Sequence, residues 1–390
     1  MWNARVKTSA LIFFAYAALG SFGPYMNLFF QDQGMSLVKV GVLAMIPASM
    51  SMLAGPTWSA LADRFHLHKY LLPFTIALSL PFGFLISTMH TFGQLLVGIT
   101  LFAACYSAIV PLSDSAILTN LGDQPNQYGR IRLWGSIGVA AASWTAGILA
   151  QSFHLNTVFY FYIILAAIAA GIAVQLPKAP HIPVESFWKS AAKFVRDESW
   201  VIFLCGAALS GFAHMFLGYY FFIFIRTLGA SDSYIGFLVV VACLTNILVF
   251  FMMPRLLKHW TAIQLILFSN VLLILRMILS AFIHDAQWGI LVQLMDGPTW
   301  GIMWAAGVNY ANEIAPRGLL ASSQAVFNGV FNGLGGMVGA LLGGIIYSSW
   351  GDQILFLIGG ALAVISVLVF LPQLKVGFFS RKEMVREKIE

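Results

Sequence analysis

"LFSNVLLILRMILSAFI", residues 267–283, contains a single charge, Arg276, among uncharged residues. A helix of this length roughly matches the apolar core of a bilayer, because it rises about 1.5 Å per residue. Similar runs fill most of the 390-residue chain, which is 59% hydrophobic and only 9% charged. Soluble domains carry roughly 25% charged residues. The sequence therefore predicts an all-α polytopic membrane protein.

The apolar runs number twelve, and short polar segments separate them. The predicted spans, numbered 1 to 12 in chain order, are 8–30, 39–61, 70–89, 92–119, 132–152, 156–176, 200–226, 233–254, 262–283, 287–312, 319–348 and 353–372. No small-residue cleavage pattern follows the first span, so we interpret it as a retained helix rather than a signal peptide.

Lysine and arginine are distributed unevenly between the two sides that twelve spans define. Eighteen of the 21 lie at the termini or in loops after even-numbered spans, whereas Lys39 and Arg226 lie on the opposite side. Because cytoplasmic loops carry the excess of Lys and Arg, both termini are predicted to be cytoplasmic, in the plasma (inner) membrane. This asymmetry also explains the formal charge of +6, so we expect no nucleic-acid partner.

The longest polar segment between spans, residues 177–199, divides the protein into two sets of six spans. We predict an N-terminal bundle at 1–176, a cytoplasmic linker with a short amphipathic helix at 177–199, and a C-terminal bundle with a basic tail at 200–390. "GMSLVKVG" (34–41) and "GASDSYIG" (229–236) share Gly-x-Ser-x-x-x-x-Gly at an offset of 195. Two related six-helix halves are therefore expected.

The sequence shows no pattern for catalysis or for a bound metal. The three cysteines, Cys105, Cys205 and Cys243, lie in apolar spans and belong to no Cys/His cluster. A nucleophile–base set and a phosphate-binding loop are also missing from the sequence. We therefore expect neither an enzyme, nor a cofactor, nor a metal site.

Several motifs resemble those of the major facilitator superfamily of transporters. "SALADRFHLHK" (59–69) resembles the loop signature Gly-x-Leu-Ala-Asp-Arg-x-Gly-Arg-Lys, with Ser and His in place of its two glycines. "YGRIRLWGSIG" (128–138), "QLMDGPTWG" (293–301) and "ASSQAVFNG" (321–329) resemble the phenylpropionate permease group, near the nucleoside–proton and lactose–proton symporters. The resemblance implies two pseudo-symmetric six-helix bundles, in which spans 1, 4, 7 and 10 line a central cavity.

Arg276 in span 9 and Asp296 in span 10 are predicted to form an ion pair inside the membrane. Both lie roughly 10–14 Å below the same outer edge, at about 1.5 Å per residue. A charge at mid-depth costs about 2.5–3.5 kcal/mol unless it has a partner or faces water. The pair either only fixes helix packing, or it couples transport to protons, since a carboxylate can take up a proton when the arginine moves away. The resemblance to lactose symporters favours coupling, although histidine is expected at the Asp296 position in the nearer permease group.

Charged residues near the cytoplasmic ends are assigned to a gate. Asp63 and Arg64 belong to the signature loop, and Arg130 and Arg132 lie at the start of span 5. An ordinary exposed turn is the alternative for the first two. Asp114 in span 4 either binds substrate or pairs with Arg130 or Arg132 to lock this gate.

Helical spacing groups polar and aromatic residues on faces that would line the cavity. In span 10, Asp296, Trp300, Met303, Gly307 and Tyr310 are three or four residues apart and share one stripe. Each aromatic could equally face a helix or lipid, and a lone histidine on an apolar helix, such as His214, is more often a hydrogen-bonded packing residue than a proton carrier. The predicted cavity residues are Tyr16, Asn27, Asp114, His214, Trp300, Asn309 and Tyr310.

Together these features predict a secondary active transporter that moves a small organic solute by alternating access, with proton symport. Aromatic carboxylates, nucleosides and sugars are the candidate substrates. The alternative is a proton-coupled efflux antiporter of amphipathic compounds, which the missing Gly-Pro signature in span 5 disfavours. A membrane enzyme or a sensor is a third class, disfavoured because no catalytic set or soluble domain is present. The expected partners are the solute, protons and the lipid bilayer, and the expected functional unit is a monomer.

Overall fold

A computed structural model describes residues 4–65, 68–121, 128–176, 194, 197–315 and 319–374. These residues are almost entirely helical and contain no strand. The helices follow the predicted spans in order: span 1, Ala4–Phe22 and Met26–Asp32; span 2, Leu37–Phe65; span 3, His68–Ser87; span 4, Phe92–Tyr106 and Ile109–Leu121; span 5, Tyr128–Ser152; span 6, Thr157–Ala173; span 7, Glu198–Thr227; span 8, Asp232–His259; span 9, Ala262–Phe282; span 10, Gly289–Leu294, Gly297–Gly301 and Ile302–Glu313; span 11, Leu320–Asn328, Gly329–Leu334 and the first part of Gly335–Phe370; span 12, the rest of Gly335–Phe370.

The lengths of the helices agree with a protein that crosses a membrane many times. Within the described ranges, 9 helices are long and apolar enough to do so, and one of them, Ser322–Phe370, contains spans 11 and 12. A turn at Gly351, with φ of +84°, separates these two spans. Span 6 is slightly shorter, and span 10 is built from short pieces. Large apolar residues such as Phe251, which is 70% exposed, cover the outer surface, where lipid replaces water.

The repeated Gly-x-Ser pattern forms the same turn in both halves. Gly34 and Gly229 follow spans 1 and 7 with φ of +75° and +90°, a conformation in which glycine commonly ends a helix. The serine hydroxyls then cap the next helices: Ser36 accepts from the backbone of Lys39, and Ser231 accepts from that of Tyr234. The internal repeat at offset 195 is therefore present in the fold.

The end of the bundle that contains the turns 33–36 and 228–231 is called the distal end here, and the described termini lie at the opposite end. At the distal end, span 2 crosses span 11 and span 5 crosses span 8. A Cβ on Gly41 would lie 2.5 Å from the Ala340 carbonyl oxygen, and one on Gly236 would lie 2.5 Å from the Ser143 carbonyl oxygen. Only glycine allows backbones to approach this closely.

Polar contacts join the two halves beside these crossings. Arg226 Nη1 binds Asp32 Oδ1 at 2.9 Å. The Tyr25 hydroxyl donates to the Ser143 carbonyl of its own half at 2.7 Å and lies 3.3 Å from the Asp232 carbonyl of the other half. The distal end of the molecule is therefore closed.

Most of the predicted linker, 177–199, lies outside the described residues. The limits of the two bundles at 176 and 200 therefore stay a prediction. Within the C-terminal half, Phe203 of span 7 stacks on Phe327 of span 11, and Tyr310 and Trp304 of span 10 pack against these two rings.

Candidate functional site

Arg276 lies in the interior of the C-terminal half and is only 3% exposed. Its Nη1 atom binds Asp296 Oδ1 at 2.8 Å and donates to the Thr299 hydroxyl at 2.9 Å. Its Nη2 atom donates to Gln293 Oε1 at 3.1 Å. The predicted contact between spans 9 and 10 is thus present, and span 10 supplies all three acceptors.

The Asp296 carboxylate joins three helices. Its Oδ1 atom contacts Arg276 of span 9, and its Oδ2 atom accepts a 2.6 Å hydrogen bond from Asn246 Nδ2 of span 8. The Asp296 side chain keeps 23% of its surface exposed, whereas the arginine is almost fully buried. The accessible member of the pair is therefore the carboxylate.

A π-helical turn at Gly297–Gly301 follows Asp296 directly and sets the geometry of the pair. Pro298 has no N–H with which to continue the ordinary helical ladder. The N–H of the preceding residue, Gly297, donates to the Thr245 hydroxyl of span 8 at 3.1 Å. A Cβ on Gly297 would collide with the Thr245 backbone. This Gly-Pro sequence therefore brings span 10 against span 8, where Asp296 meets Asn246.

His214 and Trp300 border this site. His214 is 5% exposed, with its Nδ1 atom 2.8 Å from the Ser210 carbonyl and its ring against Phe331. It lies within electrostatic range of both members of the ion pair. Trp300 is half-buried and stacks on Trp304, with ring centroids 6.0 Å apart.

A second charged cluster lies within the N-terminal half. Arg132 Nε lies 3.4 Å from Asp114 Oδ1, and its guanidinium covers the Tyr16 ring at 4.0 Å from the centroid. This arrangement matches the alternative in which Asp114 pairs with Arg132. Tyr16 is 6% exposed as a result, so its ring presents little surface to the space between the halves.

The predicted stripe along span 10 is wrong, and with it the cavity position of Tyr310. Tyr310 is 2% exposed, packs against Phe203, and donates its hydroxyl to Gln373 Oε1 at 2.6 Å. Met303 is fully buried as well. The π turn changes the helical register after Asp296, so the later positions of the stripe face the core of the C-terminal half.

The remaining predicted residues occupy different surroundings. Asn309 is half-buried, and its amide donates to Ala305 in its own helix. Asn27, 7% exposed, lies in the distal seam, where it donates to the Tyr219 carbonyl at 3.0 Å. Arg130 is exposed.

The gate residues Asp63 and Arg64 lie near the end of the span 2 helix, and their side chains fall outside the described residues. Their assignment to a gate stays a prediction. Sequence reasoning also missed Asn246, Gln293 and Thr299, which complete the shell around the ion pair. The signal that could have found them is that each is a polar residue inside an apolar span, at a depth near that of Asp296.

Two related six-helix halves, closed on each other at one end and carrying a buried ion pair, define a membrane transporter of small solutes. The family model described as the MFS_1 like family matches residues 6–358, and the chain belongs to that family. The sequence-based expectation of a major facilitator fold is therefore confirmed, and the protein is not an enzyme.

Known relatives agree with this assignment. The protein is 26% identical to the maltose permease of Geobacillus stearothermophilus over 378 residues, or 95% of each protein. It is 25% identical to the probable 3-phenylpropionic acid transporter of Escherichia coli (strain K12), over 93% of this chain and 94% of that protein. The crystal structure of the nucleoside transporter NupG superposes with a TM-score of 0.84 at 18% identity, covering 96% of this chain and 100% of that one.

Proposed function

We propose that this protein is a proton symporter that imports a small organic solute by alternating access. It lies in the plasma membrane with both termini in the cytoplasm, so the distal end faces the outside. The observation that carries the proposal is the Asp296 carboxylate, which is 23% exposed and yet bound to a buried arginine. A group in this position can exchange a proton with water while its charge remains compensated by Arg276.

The coupling follows from the cost of separating this pair. Removing one partner of a buried ion pair leaves an uncompensated charge, which costs about 3–5 kcal/mol. Any movement of span 9 against span 10 that parts Arg276 from Asp296 therefore favours protonation of the carboxylate. Movements that restore the 2.8 Å contact favour release of the proton. Alternating access would thus load the proton on one side of the membrane and release it on the other.

The arrangement of charges favours a neutral, hydroxylated solute of the sugar or nucleoside class. Arg276 is 3% exposed and has three acceptors, and the Arg132 guanidinium is held by Asp114 and Tyr16. Both arginines are therefore already bound to carboxylates, and Arg276 in addition is buried, whereas the Arg132 side chain is 33% exposed. The Asp296 and Asp114 side chains are 23% and 29% exposed, so both can accept hydrogen bonds from hydroxyl groups of a solute. The name of the maltose permease supports this class, and that of the 3-phenylpropionic acid transporter supports the carboxylate alternative.

Uptake by proteoliposomes with an imposed pH gradient, alkaline inside, tests the proposal. Labelled maltose, uridine and 3-phenylpropionate serve as probes. We expect accumulation of maltose or uridine that a protonophore abolishes. Transport of 3-phenylpropionate alone would refute the neutral class, and accumulation that rises when the gradient is collapsed would refute symport in favour of efflux.

The role of Asp296 is tested by Asp296→Asn in the same assay. The variant should lose gradient-driven accumulation and keep exchange of external for internal solute, because exchange requires no net proton transfer. Asp285→Asn makes the same chemical change at an exposed turn and is the matched control. Accumulation by Asp296→Asn at the wild-type level would remove Asp296 as the proton carrier.

A further inference from the structure

Asn246 of span 8 holds the oxygen of Asp296 that Arg276 leaves free. Its Nδ2 atom donates to Asp296 Oδ2 at 2.6 Å and to the Ala242 carbonyl at 3.0 Å. Its Oδ1 atom is buried and has no hydrogen-bond partner among the described residues. A buried polar atom without a partner costs about 1–3 kcal/mol, so a residue that keeps one is a candidate for a second arrangement.

We propose that the Asn246 amide rotates when Asp296 gains its proton, and that Asn246 is thereby the positioning residue for the proton step. The inference rests on the proposed role of Asp296. An ionised carboxylate only accepts hydrogen bonds, and a protonated one must also donate. An amide offers a donor on one side and an acceptor on the other, so a half-turn about its terminal bond serves both states of Asp296, at the cost of the hydrogen bond from Nδ2 to the Ala242 carbonyl. The group that is unpartnered now becomes the acceptor that the new O–H needs.

The proton balance of this step is simple. A proton from water on the open side binds Asp296 Oδ2 and forms an O–H bond, which donates to Asn246 Oδ1. The amide gains and loses no atoms. On release, the proton returns to water on the other side, and Nδ2 turns back to the carboxylate.

Among the groups around Asp296, Asn246 is the one that binds the Oδ2 atom, where we propose that the proton is added. Arg276 approaches from span 9 and binds Oδ1. His214 of span 7 and Cys243 of span 8 also lie within electrostatic range of Asp296. The hydrogen bond to Oδ2 comes from Asn246. Among the described residues, these are the titratable and charged groups found to interact with the carboxylate from the neighbouring helices.

Gly301 provides the space for the other end of the amide. A Cβ on Gly301 would lie 2.7 Å from Asn246 Oδ1, so the amide packs directly against the glycine. Amide oxygen and nitrogen differ little in size, so this space accepts either one. A methyl group at position 301 would press on the amide and disturb its alignment with Asp296.

The first test is the pH dependence of uptake by Asn246→Leu, a change that keeps roughly the same size. The ionised state loses a charge-assisted hydrogen bond, whereas the protonated state loses a neutral bond about half as strong. We therefore expect the midpoint of the pH profile to move up by about one unit, roughly a tenfold gain in proton affinity. Asn270→Leu is the matched control and should leave the midpoint unchanged, because it removes a buried amide that donates to the Ile266 carbonyl of its own helix and to Met303 Sδ but not to Asp296.

The second test is infrared difference spectroscopy of the purified protein between high and low pH, with isotope-labelled asparagine. The wild type should show a shifted band of the asparagine amide carbonyl together with a carboxylic-acid band. The asparagine band should disappear in Asn246→Leu and in Asp296→Asn and persist in Asn270→Leu. Gly301→Ala should weaken it, which keeps the test usable if Asn246→Leu fails to fold.

The outcomes separate the two proposals. If Asp296→Asn loses gradient-driven uptake but no asparagine band shifts with pH, the amide switch is refuted and the symport proposal stands. If Asp296→Asn transports like the wild type, Asp296 is not the carrier and both proposals fail. A pH midpoint in Asn246→Leu equal to that of the wild type also refutes the positioning role.

Discussion

Replacing Gly41 and Gly236 by alanine should open the distal end. A Cβ at either position would lie 2.5 Å from a backbone carbonyl oxygen of the opposite half, about 1 Å inside ordinary contact. Backbone atoms cannot rotate away, so the crossing helices must separate. Overpacking of this kind costs about 1–3 kcal/mol per site. The two sites lie at different crossings, so the costs add to about 2–6 kcal/mol against the closed arrangement.

This cost changes the equilibrium between conformations by a predictable factor. Since about 1.4 kcal/mol corresponds to a tenfold change, the double variant should favour the distal-open form by about 30-fold to 2 × 10⁴-fold more than the wild type. Spin labels at Ser36 and Ser231, exposed on the distal turns of the two halves, report the change as an inter-label distance in nanodiscs.

Gly171→Ala is the control for alanine itself, because a Cβ at that position meets nothing within 4 Å. It should leave the distance distribution unchanged. Alanine also favours helix over glycine by about 0.5–1 kcal/mol, but this benefit is shared by both conformations. A double variant with the wild-type distance distribution would refute the view that these crossings limit opening.

Three further changes test other parts of the structure. Arg276→Met should lower the stability by about 3–5 kcal/mol, because it leaves the Asp296 carboxylate without its partner. Adding Asp296→Leu should restore most of this stability, measured by thermal unfolding, while gradient-driven uptake stays absent. A double variant no more stable than the single variant would contradict this expectation. Tyr310→Phe should cost about 1 kcal/mol of stability and leave KM unchanged. A several-fold rise in KM would show that the Tyr310 hydroxyl contacts the solute. Arg226→Gln breaks the partly exposed pair with Asp32. The equilibrium between the distal-closed and distal-open forms, read from the spin-label distances, should therefore change by no more than about 1 kcal/mol, and by less at high salt.

The span pattern and the ion pair could be predicted because each depends on one simple quantity. Apolar length predicts the helices, and equal depth on consecutive helices predicts that Arg276 meets Asp296. The turns at Gly34 and Gly229 follow from local chemistry, since glycine ends one helix and serine caps the next. None of these inferences requires knowledge of how helices are rotated about their axes.

The other polar residues around the ion pair, Asn246, Gln293 and Thr299, were not predicted, because depth alone does not say which side of a helix faces the pair. A stripe with constant helical spacing assumes an uninterrupted α-helix, and the π turn at Gly297–Gly301 breaks that assumption. A second π turn, Gly329–Leu334, lies in span 11. Beyond it the corresponding crossing glycines, Gly147 and Gly344, are 197 residues apart rather than 195. A fixed repeat offset therefore loses accuracy in the part of the protein that follows the π turns.

The backbone-to-backbone crossings at the distal end have a consequence for leakage. A seal made of side chains opens briefly whenever one of them changes rotamer, and small ions can slip through. Where Gly41 and Gly236 press directly on carbonyl oxygens of the opposite half, the contact is between backbones, and a change of side-chain rotamer does not separate it. Under the proposed proton symport, a seal that parts only when whole helices move would limit the leak of protons in the absence of solute.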